Sequence, residues 1–121
     1  MRDHIVVCGL GHVGHRVVRL LRRLGEEVVV VALAPDEGRA REATAAGARV
    51  ITGDARHPHV MAEAELSTAR AVIAATASDI TNIGIALGAR RTQPGLAVVV
   101  RLFDLGLAGL FERSVEVRRA L

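Results

Sequence analysis

The stretch Gly9-Leu10-Gly11-His12-Val13-Gly14 decides the fold of this chain. It has the spacing G-x-G-x-x-G and directly follows the apolar run Ile5-Val6-Val7-Cys8, which predicts a buried strand. In this spacing the first glycine permits a tight turn, the second lets a phosphate approach the backbone, and the third lets the next helix pack closely. The N–H groups and the dipole of a helix N-terminus favour an anion. A strand before the motif and a helix pattern after it therefore predict a nucleotide-binding turn.

The end of the second predicted strand lacks the acidic residue that usually accompanies such a turn. Residues 28–33 form an apolar run, and a dinucleotide-binding unit should place Asp or Glu at its end, roughly 20 residues beyond the glycines, to hold the ribose hydroxyls. The chain has Ala32 there, and its nearest acids are Asp36 and Glu37. The phosphate turn is thus present without the usual ribose acid.

Strand and helix patterns alternate along the chain. This alternation predicts an α/β fold, a Rossmann-like doubly wound parallel sheet of five to six strands with helices on both faces, in a single domain over residues 1–121. Ligands of such sheets bind at the carboxyl ends of the strands. The loops at that edge are predicted to begin at Gly9, Ala32, Gly53, Thr76 and Arg101. The patterns predict strands over residues 4–8, 28–33, 49–52, 71–75, 96–102 and 114–117, and helices over 12–24, 36–46, 57–66, 79–91 and 105–112.

The sequence also predicts the N-caps of two helices and the apolar face of one helix. Asp79 and Asp104 are each expected to cap a helix N-terminus. One apolar face of the fourth helix is predicted to contain Ile80, Ile83, Gly84, Leu87 and Gly88. Its two glycines, four residues apart, would permit close packing at a subunit interface or against the sheet.

Composition excludes several classes of protein. Half of the residues are hydrophobic, but the aromatic residues are two Phe, which disfavours single-stranded nucleic-acid binding because that needs stacking platforms. The formal charge of +3 comes from sixteen scattered Arg residues interleaved with Glu, so no nucleic-acid partner is expected. A single cysteine fits a reducing cytoplasm. No apolar stretch approaches the length of a membrane span, and Met1-Arg2-Asp3 leads straight into a strand, so neither membrane insertion nor a signal peptide is expected.

Catalytic and metal chemistry have little support in the sequence. His57-Pro58-His59 lies near Asp54, but a third ligand of clear spacing is missing, so no metal site is predicted. Cys8 is expected to be inert core. Because the chain has no Tyr and no Lys, the usual proton donors of a small NAD(P)-dependent oxidoreductase are missing. No catalytic residue is predicted, and the chain is not expected to be an enzyme.

Four sequence elements together resemble one family. They are the glycine motif, Thr52-Gly53-Asp54-Ala55, the run Val72-Ile73-Ala74-Ala75-Thr76 followed by Asp79 and Asn82, and Val99-Val100-Arg101 followed by Asp104. In these elements the chain resembles the nucleotide-binding lobe of the regulator of potassium conductance family, also called the RCK or TrkA-N type. The resemblance covers nearly the whole chain, and the Gly-Asp-Ala element is its most discriminating part, since the family uses that loop beside adenine.

The resemblance implies a site for an adenine nucleotide: NAD(H), ATP, ADP or AMP. Asp54 would bond ribose or adenine, or else only local backbone N–H groups; Thr76 would contact ligand or cap the sheet edge. Arg101 would reach a phosphate or an acidic partner, or form a surface ion pair. The family usually has an acid at Ala32 and often Arg at His12, so this chain departs from it at both. The implied binding residues are Gly9, Gly11, His12, Val13, Gly14, Ala32, Asp54, Ala55, Ala75, Thr76 and Arg101.

The resemblance also implies a role. It predicts a cytoplasmic ligand-sensing regulatory domain, peripheral at the inner face of the membrane through a potassium channel or transporter subunit, and self-associated as a homodimer or higher. The family continues into a crossing helix and a second lobe, so the chain is expected to be an excised lobe or to lack that part. The alternatives are a degenerate lobe that has lost its ligand and serves dimerisation, and, less favoured, the oxidoreductase.

Overall fold

The protein, as a computed structural model, is described over residues 1–115 and 118–119. Strands and helices alternate along it, as the sequence predicts. The strands are β1 (Ile5–Cys8), β2 (Val28–Ala32), β3 (Arg49–Thr52), β4 (Ala71–Ala74), β5 (Ala97–Val100) and β6 (Arg118–Arg119). The helices are α1 (His12–Arg23), α2 (Glu37–Ala45), α3 (Pro58–Glu63), α4 (Asp79–Thr92) and α5 (Leu105–Val115), with a short 3-10 turn over Leu66–Thr68.

All six strands are parallel and follow the order β3-β2-β1-β4-β5-β6. β1 is central, in register with β2 through Ile5 opposite Val28 and with β4 through Ile5 opposite Ala71. The strand order reverses at β1, since β2 and β3 lie on one side of it and β4 to β6 on the other. This is the doubly wound order, and its ligand crevice lies where the order reverses. The predicted fold class is confirmed.

The core lies on both faces of the sheet. Alternate residues of β1 and β2 point to opposite faces, and both strands are buried throughout. Ile5 and Val7 pack with Val18 of α1 and Ala43 of α2 on one face. On the other face Val6 and Cys8 share a cluster with residues of α3 and α4, including Met61 and Ile85.

The last predicted strand is misplaced. Ser114 and Val115 belong to α5, and the strand is Arg118–Arg119, while residues 116–117 of the predicted range lie outside the described residues. In the described part of the chain, no helix combines the length and apolarity needed to cross a bilayer.

Most of the predicted apolar face of α4 points away from the sheet, although Ile83 is half-buried and packs against the core. The buried face consists of Asn82, Ile85, Ala86 and Ala89, whereas Ile80 is 69% exposed. No described atom lies within 4 Å of a Cβ placed on Gly88, and the nearest to one on Gly84 belongs to the Arg56 side chain at 3.4 Å. The glycines therefore do not serve packing against the sheet. Small Ala residues and the polar Asn82 carry the contact, and hydrophobicity alone does not reveal such a face.

Asp79 does not cap α4, contrary to the prediction. Ser78 is the N-cap and accepts a hydrogen bond from the backbone N–H of Thr81. The Asp79 carboxylate instead accepts from the backbone N–H groups of Phe103 and Asp104, at 2.8 and 2.9 Å. It thereby ties the start of α4 to the loop after β5. The Asp104 carboxylate accepts from the N–H groups of the first turn of α5, as predicted.

Candidate functional site

The turn between β1 and α1 has the geometry that the glycine motif predicts. Gly9 has φ +105°, in the left-handed region that favours glycine. A Cβ on Gly14 would lie 2.1 Å from the carbonyl oxygen of Gly9. The third glycine therefore brings α1 against the end of β1, and a side chain there would force the two apart.

Gly11 is different, because space surrounds it. No described atom lies within 4 Å of a Cβ placed on it. It is the N-cap of α1, and no described side chain caps that helix. The first N–H groups of a helix have no partner within it. This turn thus combines open space with donors that could meet an anion.

Backbone hydrogen bonds between neighbouring strand ends bring the predicted loops to one edge of the sheet. The N–H of Gly9 donates to Val31, and that of Gly53 donates to Ala32. Beside them, the N–H of Ala75 donates to Cys8 and that of Arg101 to Ala74. The carboxyl ends of all five strands β1 to β5 are thereby joined in one row.

A cavity of about 330 Å³ lies at this edge. Five of the predicted binding residues line it, namely Gly9, Ala32, Asp54, Ala55 and Thr76. Most of the other lining residues are their neighbours at the strand ends, and α4 contributes two more. These other residues are Cys8, Val31, Leu33, Gly53, Arg56, Ala77, Ser78, Thr81 and Ile85.

The carboxylate of Asp54 is bound within its own loop. Its Oδ1 accepts from the backbone N–H and the Nε of Arg56, at 2.9 and 3.1 Å. Its Oδ2 accepts from Nη2 of the same guanidinium at 2.8 Å. The side-chain and backbone hydrogen bonds from Arg56 lower the pKa of Asp54 to about 2, so this carboxylate is ionised at neutral pH.

Thr76 is held by Asn82, a fully buried side chain of α4. The Thr76 backbone N–H and hydroxyl both donate to Oδ1 of Asn82, at 2.9 and 2.6 Å. Nδ2 of Asn82 donates to the carbonyl oxygens of Thr76 and Arg101, at 3.0 and 2.8 Å. One amide thus fixes the ends of β4 and β5 to α4, and the Thr76 hydroxyl takes part in this network at the edge of the sheet.

The remaining predicted binding residues do not line the cavity. Gly11 lies in the turn and Gly14 in the first turn of α1, with an exposed His12 and a half-buried Val13 between them. Ala75 is buried, and its carbonyl group would be 3.1 Å from a Cβ on Gly9. The guanidinium of Arg101 lies 4.3 Å from the centre of the Phe103 ring, outside the cavity lining.

Other chemistry-bearing side chains have local roles. Burial raises the pKa of the Cys8 thiol to about 12, so it is protonated at neutral pH. Nε2 of His15 lies 3.0 Å from a carboxylate oxygen of Glu42, between α1 and α2. The rings of His57 and His59 are 5.5 Å apart. Within the described residues no group of three or more His, Cys, Asp or Glu side chains is arranged to hold a metal ion.

Three residues at this edge have clear roles that were not predicted from the sequence, although Asn82 was among the residues that carry the family resemblance. Arg56 holds Asp54, Ser78 caps α4, and Asn82 joins two strand ends. Ser78 could have been found, because Ser is as good an N-cap as Asp and stands directly before Asp79, so that the helix could begin one residue earlier. Asn82 has a weaker signal, a polar residue in phase with Ile85 and Ala89 on the buried face.

Comparison with known proteins gives a consistent family. The family model described as TrkA-N domain matches residues 5–119. The "Trk system potassium uptake protein TrkA homolog" of Pyrococcus abyssi is 31% identical over 117 residues, which are 96% of this chain and 51% of that protein. The chain thus spans about half the length of the first curated relatives it matches, or less.

Solved structures share the fold at lower identity. The carboxy-terminal domain of a Kef protein of Shewanella denitrificans, described as an AMP-bound form, has a TM-score of 0.81 and 22% identity, covering 98% of this chain and 71% of that one. The GsuK channel bound to NAD has a TM-score of 0.76 and 22% identity, covering 95% of this chain and 20% of that one.

Proposed function

The chain belongs to the TrkA-N domain family, and from this premise we propose that residues 1–121 form one ligand-sensing regulatory lobe that binds an adenine nucleotide. The ligand is AMP, ADP, ATP or NAD(H), and AMP is the simplest of them to test. The lobe acts in the cytoplasm at the inner face of the membrane. Its partner is a potassium channel or transporter subunit, because the relatives are named as potassium uptake proteins and potassium channels.

One observation carries this proposal. The uncapped α1 N-terminus, with open space at Gly11, adjoins through Gly9 a cavity that extends to Ala32, Asp54 and Thr76. A phosphate would meet the N–H groups of the turn, and the rest of the nucleotide would occupy the cavity. In this proposal Gly9, Gly11, His12, Val13 and Gly14 form the phosphate end.

The other proposed contacts come from the neighbouring strand ends. Ala32, Asp54 and Ala55 face the ribose and base, and Ala75 and Thr76 form the floor beneath the turn. Arg101 would have to leave the Phe103 ring to reach a phosphate, so it is the weakest member of the proposed site.

The proposed mechanism is a population shift. A ligand changes the relative arrangement of paired lobes when it contacts one arrangement better than another. Catalysis is not part of the proposal, since the chain has no Tyr or Lys to donate a proton and the Cys8 thiol is protonated. Absence of turnover together with nucleotide binding would separate this function from an oxidoreductase.

A degenerate lobe without ligand is the second candidate, favoured by the apolar Ala32 in the cavity. A thermal-shift panel of AMP, ADP, ATP and NAD on the purified chain distinguishes the two, because a ligand that binds the native state raises its melting temperature by mass action. If the lobe binds a nucleotide, at least one of the four should raise the melting temperature of the parent, and none should raise that of Gly11→Val. An unchanged melting temperature with all four at millimolar concentration would contradict the proposed function.

The proposed self-association uses an apolar surface formed by Ile80, Leu87, Phe103 and Leu105. These side chains are 69, 38, 58 and 70% exposed. The hydrogen bonds from Phe103 and Asp104 to Asp79 bring the two ends of this surface together. Exposed apolar patches mark protein interfaces, and a second copy of the chain would cover the same patch across a two-fold axis.

Sedimentation velocity tests this surface. We expect the parent to form at least a dimer at high micromolar concentration and Leu105→Glu to shift it towards monomer. Leu24→Glu is the matched control, because Leu24 is equally exposed, at 70%, but lies at the end of α1. A parent that sediments only as monomer, or equal loss in both variants, would contradict the assigned interface.

A further inference from the structure

Ala32, the last residue of β2, occupies the position that contacts the ribose in nucleotide-binding folds of this strand order. Ala32 is 5% exposed and lines the cavity. In nucleotide-binding folds of this order, an acid at the end of the second strand accepts a hydrogen bond from the ribose 2′-hydroxyl. The methyl group of Ala32 cannot accept one, so a 2′-hydroxyl would need another acceptor in the cavity.

The acids that come after Ala32 in the sequence do not replace it. Asp36 is the N-cap of α2, and its Oδ2 accepts from the backbone N–H of Arg39 at 3.0 Å. The Glu37 side chain is 94% exposed and lies 3.9 Å from Arg41. Neither residue lines the cavity. Neither carboxylate is therefore placed to accept from a ribose there.

Most polar side chains that line the cavity are bonded within the protein, and Thr81, which also lines it, lies on the first turn of α4 rather than at the end of β2. Among its lining residues, Asp54 is the single carboxylate, and Arg56 binds both of its oxygens. The Thr76 hydroxyl donates to Asn82 at 2.6 Å, and the Ser78 hydroxyl accepts from the N–H of Thr81. None of these side chains stands at the end of β2, where a ribose 2′-hydroxyl would meet Ala32.

We infer that this site binds adenine nucleotides without reading the ribose 2′-hydroxyl, so that it accepts 2′-deoxy and 2′-phosphorylated adenosine 5′-phosphates as well as the ribonucleotide. Ala32 is the residue that determines this selectivity. The inference rests on the proposed function, since it concerns the same cavity. Its physical basis is that no carboxylate at the end of β2 rewards a hydroxyl or repels a phosphate there.

The test is a calorimetric titration of the parent chain with AMP, 2′-deoxy-AMP and adenosine 2′,5′-bisphosphate. We expect the three dissociation constants to agree within about threefold, since a lost hydrogen bond to a charged group would cost roughly tenfold or more. AMP binding at least tenfold tighter than 2′-deoxy-AMP would overturn the inference and leave the proposed function standing. If none of the three binds, the inference is wrong, and the thermal-shift panel with ADP, ATP and NAD decides whether the proposed function is wrong as well.

Ala32→Asp should restore discrimination. We expect AMP to bind about tenfold tighter than to the parent, on the order of 1.4 kcal/mol, because a charge-assisted bond is partly offset by desolvation. The affinity for 2′-deoxy-AMP should stay unchanged, and adenosine 2′,5′-bisphosphate should bind more weakly through like-charge repulsion. Ala34→Asp is the matched control, because Ala34 is exposed and outside the cavity lining. A folded Ala32→Asp with the parent's ligand profile would show that Ala32 does not face the ribose.

Discussion

The two ends of the candidate site are built from different parts of the chain. At the glycine turn the backbone makes the site, because Gly9 and Gly14 set the path of the chain and Gly11 leaves open space. At the ends of β2, β3 and β4 side chains line the cavity, and those of Asp54 and Thr76 are bonded to Arg56 and Asn82. The first end offers donors to a ligand, while the second keeps its polar groups for the protein.

This difference implies that the glycine turn provides affinity for any phosphorylated ligand, whereas the side-chain end determines which ligand is selected. A backbone-made phosphate end is the same for every phosphorylated ligand, and it cannot change without changing the turn. The side-chain end can vary one residue at a time, and Ala32 is such a variation. Substitutions at the two ends should therefore have different effects, which range from disruption of the fold to a small change in stability.

Gly14→Ala should have the largest effect, since it attacks the fold itself. The new Cβ would lie 2.1 Å from the Gly9 carbonyl oxygen, and backbone atoms cannot yield as a flexible side chain can. We expect the free energy of unfolding to fall by about 3 kcal/mol or more, measured by urea denaturation. Gly88→Ala is the control within α4, where no described atom lies within 4 Å, and it should stabilise by roughly 0.5–1 kcal/mol. Equal stability of Gly14→Ala and the parent would refute the close contact.

Gly11→Val should abolish nucleotide binding while the fold persists. The side chain would fill the space in which a phosphate meets the backbone, and no described atom lies close enough to be displaced. Loss of the Gly N-cap should cost no more than about 1 kcal/mol of stability. Calorimetric titration with AMP and a urea melt measure the two effects separately. Unchanged AMP affinity in a folded variant would place the phosphate elsewhere.

Asn82→Ala should weaken the side-chain end without touching the turn. It removes the acceptor of the Thr76 N–H and the donor to the Arg101 carbonyl, in a fully buried position. Leaving such groups unpaired costs about 1–3 kcal/mol, which urea denaturation can resolve. Thr92→Ala at the exposed end of α4 removes one hydrogen bond, to Gly88, and should stay within about 0.5 kcal/mol of the parent. If both variants match the parent, the Asn82 network is not a structural support.

Arg56→Gln should have the smallest effect and a distinctive pH dependence. Arg56 lowers the folded-state pKa of Asp54 to about 2, below its unfolded value of about 3.9. A depressed pKa gives stability that is present above pH 4 and lost as the pH falls through 2.

The parent should thus be more stable than Arg56→Gln at pH 7, by a small margin because the guanidinium is half exposed, and this margin should shrink as the pH falls towards 2. Urea denaturation at both pH values measures this, with Arg41→Gln in the exposed Glu37 pair as control. A difference of the same size at pH 2 and pH 7 would show that the Asp54 charge is not its source.

The fold could be predicted largely from local patterns, but parts of the site could not. Strands β1 and β2 are continuous apolar runs, and the glycine spacing determines the turn after β1, so sequence alone placed both strands. The outward face of α4 and the role of Asp79 depend on contacts with β5 and its loop, 24 and 25 residues away. The contact of the Arg56 guanidinium with both oxygens of Asp54 could not be predicted either, because the sequence shows that the two residues are near each other but not how their side chains are oriented.

The most direct test of the central claim is an amide chemical-shift titration of the labelled chain with AMP. If the phosphate binds at the turn and the adenosine occupies the cavity, the amides of Gly9, Gly11 and His12 should shift together with those of Gly53, Asp54 and Thr76. The amides of α2, including Gly38, should stay in place. Binding that shifts a different surface, or no shift with any of AMP, ADP, ATP and NAD at millimolar concentration, would contradict the assignment of an adenine nucleotide to this edge of the sheet.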